Sequence, residues 1–131
     1  MLRHFSLLAL VLPASVFAST VVYTDRQHPP VNVQPDTQVI YLDDTEQLLR
    51  NMFGELASEP SLAERQARSV IDSADWPHRQ GALVRAGQGL IQAWQLGLSK
   101  YPAVVFDAGD VVYGTADVRL AQRLRSEGGQ P

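Results

Sequence analysis

The sequence contains no cysteine. A disulfide framework cannot form without that residue, and neither can a catalytic thiolate for thiol–disulfide exchange. Zinc sites built on thiolates are excluded for the same reason. The chain therefore folds without disulfide bonds and does not carry out redox chemistry on a thiol.

Positive charge is also scarce, with 11 lysine and arginine residues against 14 acidic ones and a net charge of -3. A nucleic-acid-binding protein normally has a strongly basic face, so we expect no nucleic acid among the partners. Hydrophobic residues make up 45% of the chain and charged residues 19%, which is typical of a globular domain.

Long hydrophobic runs are absent, and the longest apolar run covers residues 5–17. A membrane-spanning helix needs about 20 apolar residues, so this run is too short to be an anchor. Arg3 precedes it, and Val16 and Ala18 provide small residues at the positions of a cleavage site. These features predict a signal peptide cleaved after Ala18, export to the periplasm and no stable membrane insertion afterwards. A buried N-terminal helix is the alternative.

The remaining pattern predicts one α/β domain over residues 19–125, followed by a flexible polar tail at residues 126–131. The predicted strands are residues 20–24, 38–42, 102–107 and 111–113. Residues 25–37 contain three prolines and form a loop. We expect a hairpin between the last two strands, and a parallel crossover through the helices that join the second strand to the third.

Three helices are predicted between the second and third strands. Asp44 is the expected N-cap of the first, and Ser61 with Glu64 forms a capping box for the second. The third, about residues 78–96, has a bulky stripe and a stripe of small residues that allows close packing on a sheet. The bulky stripe is Leu83, Leu90, Ile91 and Trp94, and the small stripe is Ala82, Ala86, Gly89 and Ala93.

The segment GLSKYPAVVFDAG, residues 97–109, resembles the C-terminal half of the thioredoxin fold. In that family a helix ends, a cis-proline follows, and a buried strand leads to an F-x-x-G hairpin. Pro102 matches the proline, and Phe106 with Gly109 matches the hairpin motif. The resemblance implies a thioredoxin-like three-layer α/β fold, with a mixed central sheet, a C-terminal β-hairpin and a final helix. A trans proline at a strand start is the alternative for Pro102.

A closer resemblance covers almost all of the chain after residue 18. The YTD end of the first strand, a His-Pro segment, the VIYLDD strand and residues 96–118 are similar to a thioredoxin-like family encoded in integrating conjugative elements. That family is similar in style to the F-type TrbC pilus-assembly proteins. The resemblance implies a periplasmic component of a conjugative type IV secretion apparatus, with other envelope proteins as partners.

The loop after the first strand lacks the Cys-x-x-Cys motif of thioredoxins, and residues 25–30 (DRQHPP) take its place. We therefore predict a non-catalytic groove that binds a polypeptide segment, with no enzyme activity, metal or cofactor. In thioredoxin-like proteins the residue before the cis-proline lies at a peptide-binding groove. The predicted groove residues are Asp25, Arg26, His28, Pro29, Tyr101 and Pro102.

The alternative is a metal-dependent or hydrolytic envelope enzyme that uses Asp25 and His28. Histidine next to a carboxylate can act as a general base or a metal ligand. A metal site needs three or more converging ligands, however, and the sequence provides no nucleophile motif beside this pair. We therefore interpret the proline-rich loop as a recognition surface.

Overall fold

The structure is a computed structural model that describes residues 19–128. The predicted signal peptide and residues 129–131 lie outside the described residues. The strands are β1 (Thr20–Thr24), β2 (Thr37–Tyr41), β3 (Ala103–Phe106) and β4 (Asp110–Tyr113). The helices are α1 (Asp44–Phe53), α2 (Pro60–Ile71), α3 (Trp76–Gln95) and α4 (Val118–Gly128). Helix α4 thus continues beyond Arg125, where the domain was predicted to end.

The four strands form one mixed sheet in the order β2-β1-β3-β4. Strand β1 is parallel to β2 and antiparallel to β3, and β4 pairs antiparallel with β3. The mixed α/β class and the hairpin at the sheet edge are confirmed. The parallel crossover from β2 to β3 is wrong, since β3 enters on the far side of β1 and runs in the opposite direction. Three helices separate these strands, and a connection of that length can return the chain to either end of the sheet.

Both faces of the sheet are covered, which gives three layers. Val22 and Val104 point to one face and pack with Val118 and Ala121 of α4. Tyr23 and Val105 point to the other face and pack with Ala93 of α3. All four residues of β3 are buried, as its continuous apolar run predicts.

The small-residue stripe of α3 faces the sheet, as predicted. Gly89 and Ala93 are its buried members, and a Cβ at Gly89 would lie 2.7 Å from the Cγ2 atom of Ile40. Trp94 belongs to the bulky stripe and, as a tryptophan, would be expected in the core or at the sheet edge, but 81% of this residue is exposed. Ile91 is 54% exposed on the same helix. The helix lies too close to the sheet at its small residues to bury its bulky ones there as well.

The first two helices begin differently from the prediction. Asp43, not Asp44, is at the N-cap position of α1, and its side chain makes no capping hydrogen bond. Glu59 caps α2 instead of Ser61, since its carboxylate accepts hydrogen bonds from the backbone N–H groups of Ser61 and Leu62. Helix α2 therefore begins two residues earlier than predicted, and the Glu59 carboxylate satisfies free N–H groups of its first turn.

The connections that precede β3 and join it to β4 agree with the predictions of a cis-proline and a hairpin. Gly97 ends α3 with φ 68, and the Tyr101–Pro102 peptide bond is cis. The hairpin turn is centred on Asp107 and Ala108, both with positive φ, and the N–H of Gly109 donates to the carbonyl of Phe106. Arg125 of α4 contacts the carboxylates of Asp107 and Asp110 and so attaches α4 to the hairpin.

Between residues 19 and 128, no helix combines the length and the apolar character that crossing a membrane requires.

Candidate functional site

The six predicted groove residues lie in two segments, the loop after β1 and the segment before β3, which adjoin the same end of the sheet. Tyr23 pairs with Ala103 in antiparallel register, so the loop after β1 and the segment before β3 both start from that end. The more exposed members are Arg26, His28, Pro29 and Tyr101, while Asp25 and Pro102 are partly buried. Tyr101 is 52% exposed, which leaves a large aromatic surface available to a partner.

The loop after β1 is held by its first residue, Asp25. The Oδ1 atom accepts hydrogen bonds from the backbone N–H groups of Gln27 (3.1 Å) and His28 (2.9 Å), and lies 2.6 Å from the His28 Nδ1. The hydroxyl of Thr24, which is fully buried, donates to the carbonyl of His28 at 2.6 Å. These four contacts fix the direction of the loop relative to the core.

The imidazole of His28 changes the acidity of Asp25. Its hydrogen bond is the largest cause that holds the pKa of the Asp25 carboxyl below the ordinary value, and burial opposes the shift. We expect His28→Ala to raise the pKa of Asp25 toward that of an exposed aspartate. A titration of the Asp25 carboxyl carbon by NMR measures the change.

The sign of the pH effect follows from the lowered pKa. The contact stabilises the fold above the ordinary aspartate pKa, and its contribution is lost as the pH falls through the lowered value. His78→Ala is the matched control, since His78 is on α3 and makes no hydrogen bond to Asp25. An Asp25 midpoint that stays unchanged in His28→Ala would contradict the assignment.

Arg26 joins the loop to β2 and α1. Its Nη2 atom is 2.7 Å from the Oδ1 of Asp44, and the guanidinium lies over the Tyr41 ring at 4.1 Å from the ring centre. Its backbone N–H donates to the Oδ2 of Asp43 at 3.3 Å. Asp44 therefore acts as an ion-pair partner, a role that the sequence prediction of an N-cap missed.

Metal ligands do not converge on the Asp25–His28 pair. Residues 19–128 contain no group of three histidine, cysteine, aspartate or glutamate side chains that could hold a metal ion. The His28 Nδ1 is occupied by Asp25, and the side chain is 51% exposed. Asp25 orients the His28 ring, so a proton could be held at or taken up by its other nitrogen, Nε2. Asp25 also has a structural role, because it accepts hydrogen bonds from two backbone N–H groups of the loop.

Comparison with known proteins yields one kind of match. A family model described as "Protein of unknown function (DUF1525)" matches residues 17–127. No curated protein matches the chain. No solved structure matches it either. The site is therefore interpreted from its own residues and geometry.

Proposed function

The chain belongs to the DUF1525 family of proteins of unknown function, and we propose that it is a non-catalytic, protein-binding component of a conjugative type IV secretion apparatus. In this proposal the chain is exported to the periplasm after cleavage at Ala18. It then binds or helps to assemble other envelope proteins of an integrating conjugative element. The chain has no cysteine, so it takes no part in thiol exchange.

A thioredoxin-like arrangement is part of the proposal. The strand order β2-β1-β3-β4, with one parallel and two antiparallel pairs, supports it. So do the helices on both faces and the final hairpin followed by α4. Fold alone does not define a function, so the binding role is argued from the site.

The observation that carries the binding role is Tyr101, an exposed aromatic at the same end of the sheet as a loop whose backbone is fixed by Asp25 and Thr24. Aromatic residues contribute disproportionately to protein interfaces, and a preorganised loop loses little entropy when a partner binds. The exposed and fixed surface is therefore suited to a protein partner.

We expect the double variant Tyr101→Ala/His28→Ala to lose most of its partner in a pull-down. The tagged chain is recovered from cells that carry the whole conjugative element, and co-purifying proteins are quantified by mass spectrometry. Loss of an aromatic anchor at an interface weakens binding by about 2 kcal/mol or more, which raises the Kd about thirty-fold or more, so recovery should fall strongly.

Leu124→Ala provides the control, because Leu124 is 40% exposed on α4 and lies outside the predicted groove. It should recover the same partners as the wild type. If the double variant recovers as much partner as the wild type, the predicted groove is not the contact surface.

The second candidate function is a hydrolytic or metal-dependent enzyme that uses Asp25 and His28. The 2.6 Å contact between Asp25 and the His28 Nδ1 is the observation that favours it, since hydrolases orient a histidine base in this way. Metal analysis of the purified chain, together with a DNA-transfer assay of His28→Ala, tests it. Stoichiometric metal would support the enzyme over the binding module. Absence of metal, together with normal transfer by His28→Ala, would contradict the enzyme.

A further inference from the structure

A groove of about 800 Å³ lies along β2, between this strand and the helices α1 and α3. Strand β2 is at the edge of the sheet, and within residues 19–128 it pairs only with β1. The groove is separate from Tyr101 and was not predicted from the sequence. Its lining comes from β2, from α1 directly after it and from the more distant α3, with Arg26 of the loop after β1.

Within the described part of the chain, the open side of β2 carries peptide groups in the groove that pair with no other strand. The N–H of Leu42 donates to the carbonyl of Thr24 in β1 at 2.8 Å. Peptide groups alternate in direction along a strand, so the N–H and C=O groups of Ile40 also face β1. Those of Val39 and Tyr41 face the other way, and both residues line the groove. An edge of this kind is a template for one more strand.

The two helices present carboxamide side chains to the same space. Gln47 and Asn51 of α1 are four residues apart, as are Gln88 and Gln92 of α3, so each pair lies one helical turn apart on one face. A carboxamide both donates and accepts hydrogen bonds, which matches the two groups of a peptide backbone. An apolar ligand would leave these side chains without partners.

Charge in the groove is limited. Arg26 and Asp44 line it but neutralise each other through their 2.7 Å ion pair. Arg85 is the other charged lining residue. The rest of the lining is uncharged and combines the carboxamides with apolar side chains such as Ile40 and Leu48. A mostly uncharged wall with hydrogen-bonding groups suits an uncharged stretch of polypeptide.

We propose that this groove binds an extended, uncharged segment of another protein, which adds to the sheet as a fifth strand beside β2. One edge of the segment pairs with Val39 and Tyr41, and the carbonyl groups of its other edge accept hydrogen bonds from the carboxamides of α1 and α3. A second copy of this chain, paired through β2 alone, would leave those carboxamides without a peptide to bind. The site does not depend on the Tyr101 surface, so separate variants test the two.

The probe is a displayed library of random decapeptides, selected on the purified chain. An enriched peptide is then synthesised with an N-methyl group at each position in turn. Pairing with β2 uses every second N–H, so methylation should weaken binding about ten-fold at alternate positions and change little at those between. Hydrogen exchange should slow at Val39 and Tyr41 when the peptide binds, while Ile40 is already protected.

The matched variants are on one helix. Gln88→Ala/Gln92→Ala removes two carboxamides from the groove and should weaken peptide binding about ten-fold. Gln80→Ala/Gln95→Ala removes the same side chains from positions of α3 outside the lining and should leave the affinity unchanged. Tyr101→Ala should also leave it unchanged.

Several results would overturn the proposal. One is that the selection enriches no peptide, and another is that N-methylation has no alternating effect on binding. The others are that hydrogen exchange at Val39 and Tyr41 does not slow with peptide, or that the two glutamine double variants weaken binding equally. Concentration-dependent dimerisation that protects the same two amides without peptide would assign the edge to a second copy instead. None of these outcomes bears on recovery of partners through Tyr101.

Discussion

Phe106→Ala is expected to lower the free energy of unfolding by about 3–5 kcal/mol. Phe106 ends β3, is 3% exposed and belongs to the cluster that joins the sheet to α4. Its ring also lies under the guanidinium of Arg125, 4.7 Å from the ring centre. Truncation therefore leaves a cavity between the two layers and removes a cation–π contact.

Urea unfolding followed by circular dichroism measures this loss, and Phe106→Leu is the control. Leucine keeps most of the buried volume, so its cost should be about 1–1.5 kcal/mol. Small domains are stable by only about 5–15 kcal/mol, so the alanine variant would lose a large part of its stability. A loss below about 1 kcal/mol, the size of a typical substitution, would mean that Phe106 does not join the two layers.

Gly89→Ala is expected to destabilise the protein by about 1–2 kcal/mol, although alanine is the better helix former by about 1 kcal/mol. The added methyl group would lie 2.7 Å from the Cγ2 atom of Ile40, on a branched side chain that cannot turn away freely. Gly87→Ala is the matched control, because a Cβ there meets nothing within 4 Å. That variant should gain about 0.5–1 kcal/mol.

A double-mutant cycle identifies the clash as the cause. Ile40→Ala removes the methyl group that Gly89→Ala would meet, so Gly89→Ala should become neutral or stabilising in that background. The expected coupling energy is about 1–3 kcal/mol, measured by the same urea unfolding. Additive effects would show that the cost at Gly89 arises elsewhere.

Residues with a clear local pattern were predictable from the sequence. The apolar run of β3 predicted burial on both faces, and the small residues of α3 predicted the side that meets the sheet. Each pattern is formed by residues that are close together in one strand or helix, so it can be identified without knowing how the elements pack. The exposure of Trp94 was not predictable, because α3 has two apolar stripes and burying the small one leaves the bulky one outside.

The sequence indicated where the six predicted groove residues lie but not the contacts that they make. The proline and the loop after β1 located them at one end of the sheet, and the register of Tyr23 with Ala103 agrees. The ion pair of Arg26 with Asp44 joins residues 18 positions apart and depends on where a long side chain points. The carboxamide groove depends on how three elements are placed, and no local spacing encodes it.

The central position of β1 determines when the protein can fold. This strand is near the N-terminus, yet its neighbour β3 begins only at Ala103. A nascent chain therefore has no complete core until β3 has been synthesised, and contacts of such long sequence separation form slowly. Folding of the sheet is therefore delayed, and the polypeptide stays extended until β3 can pair with β1.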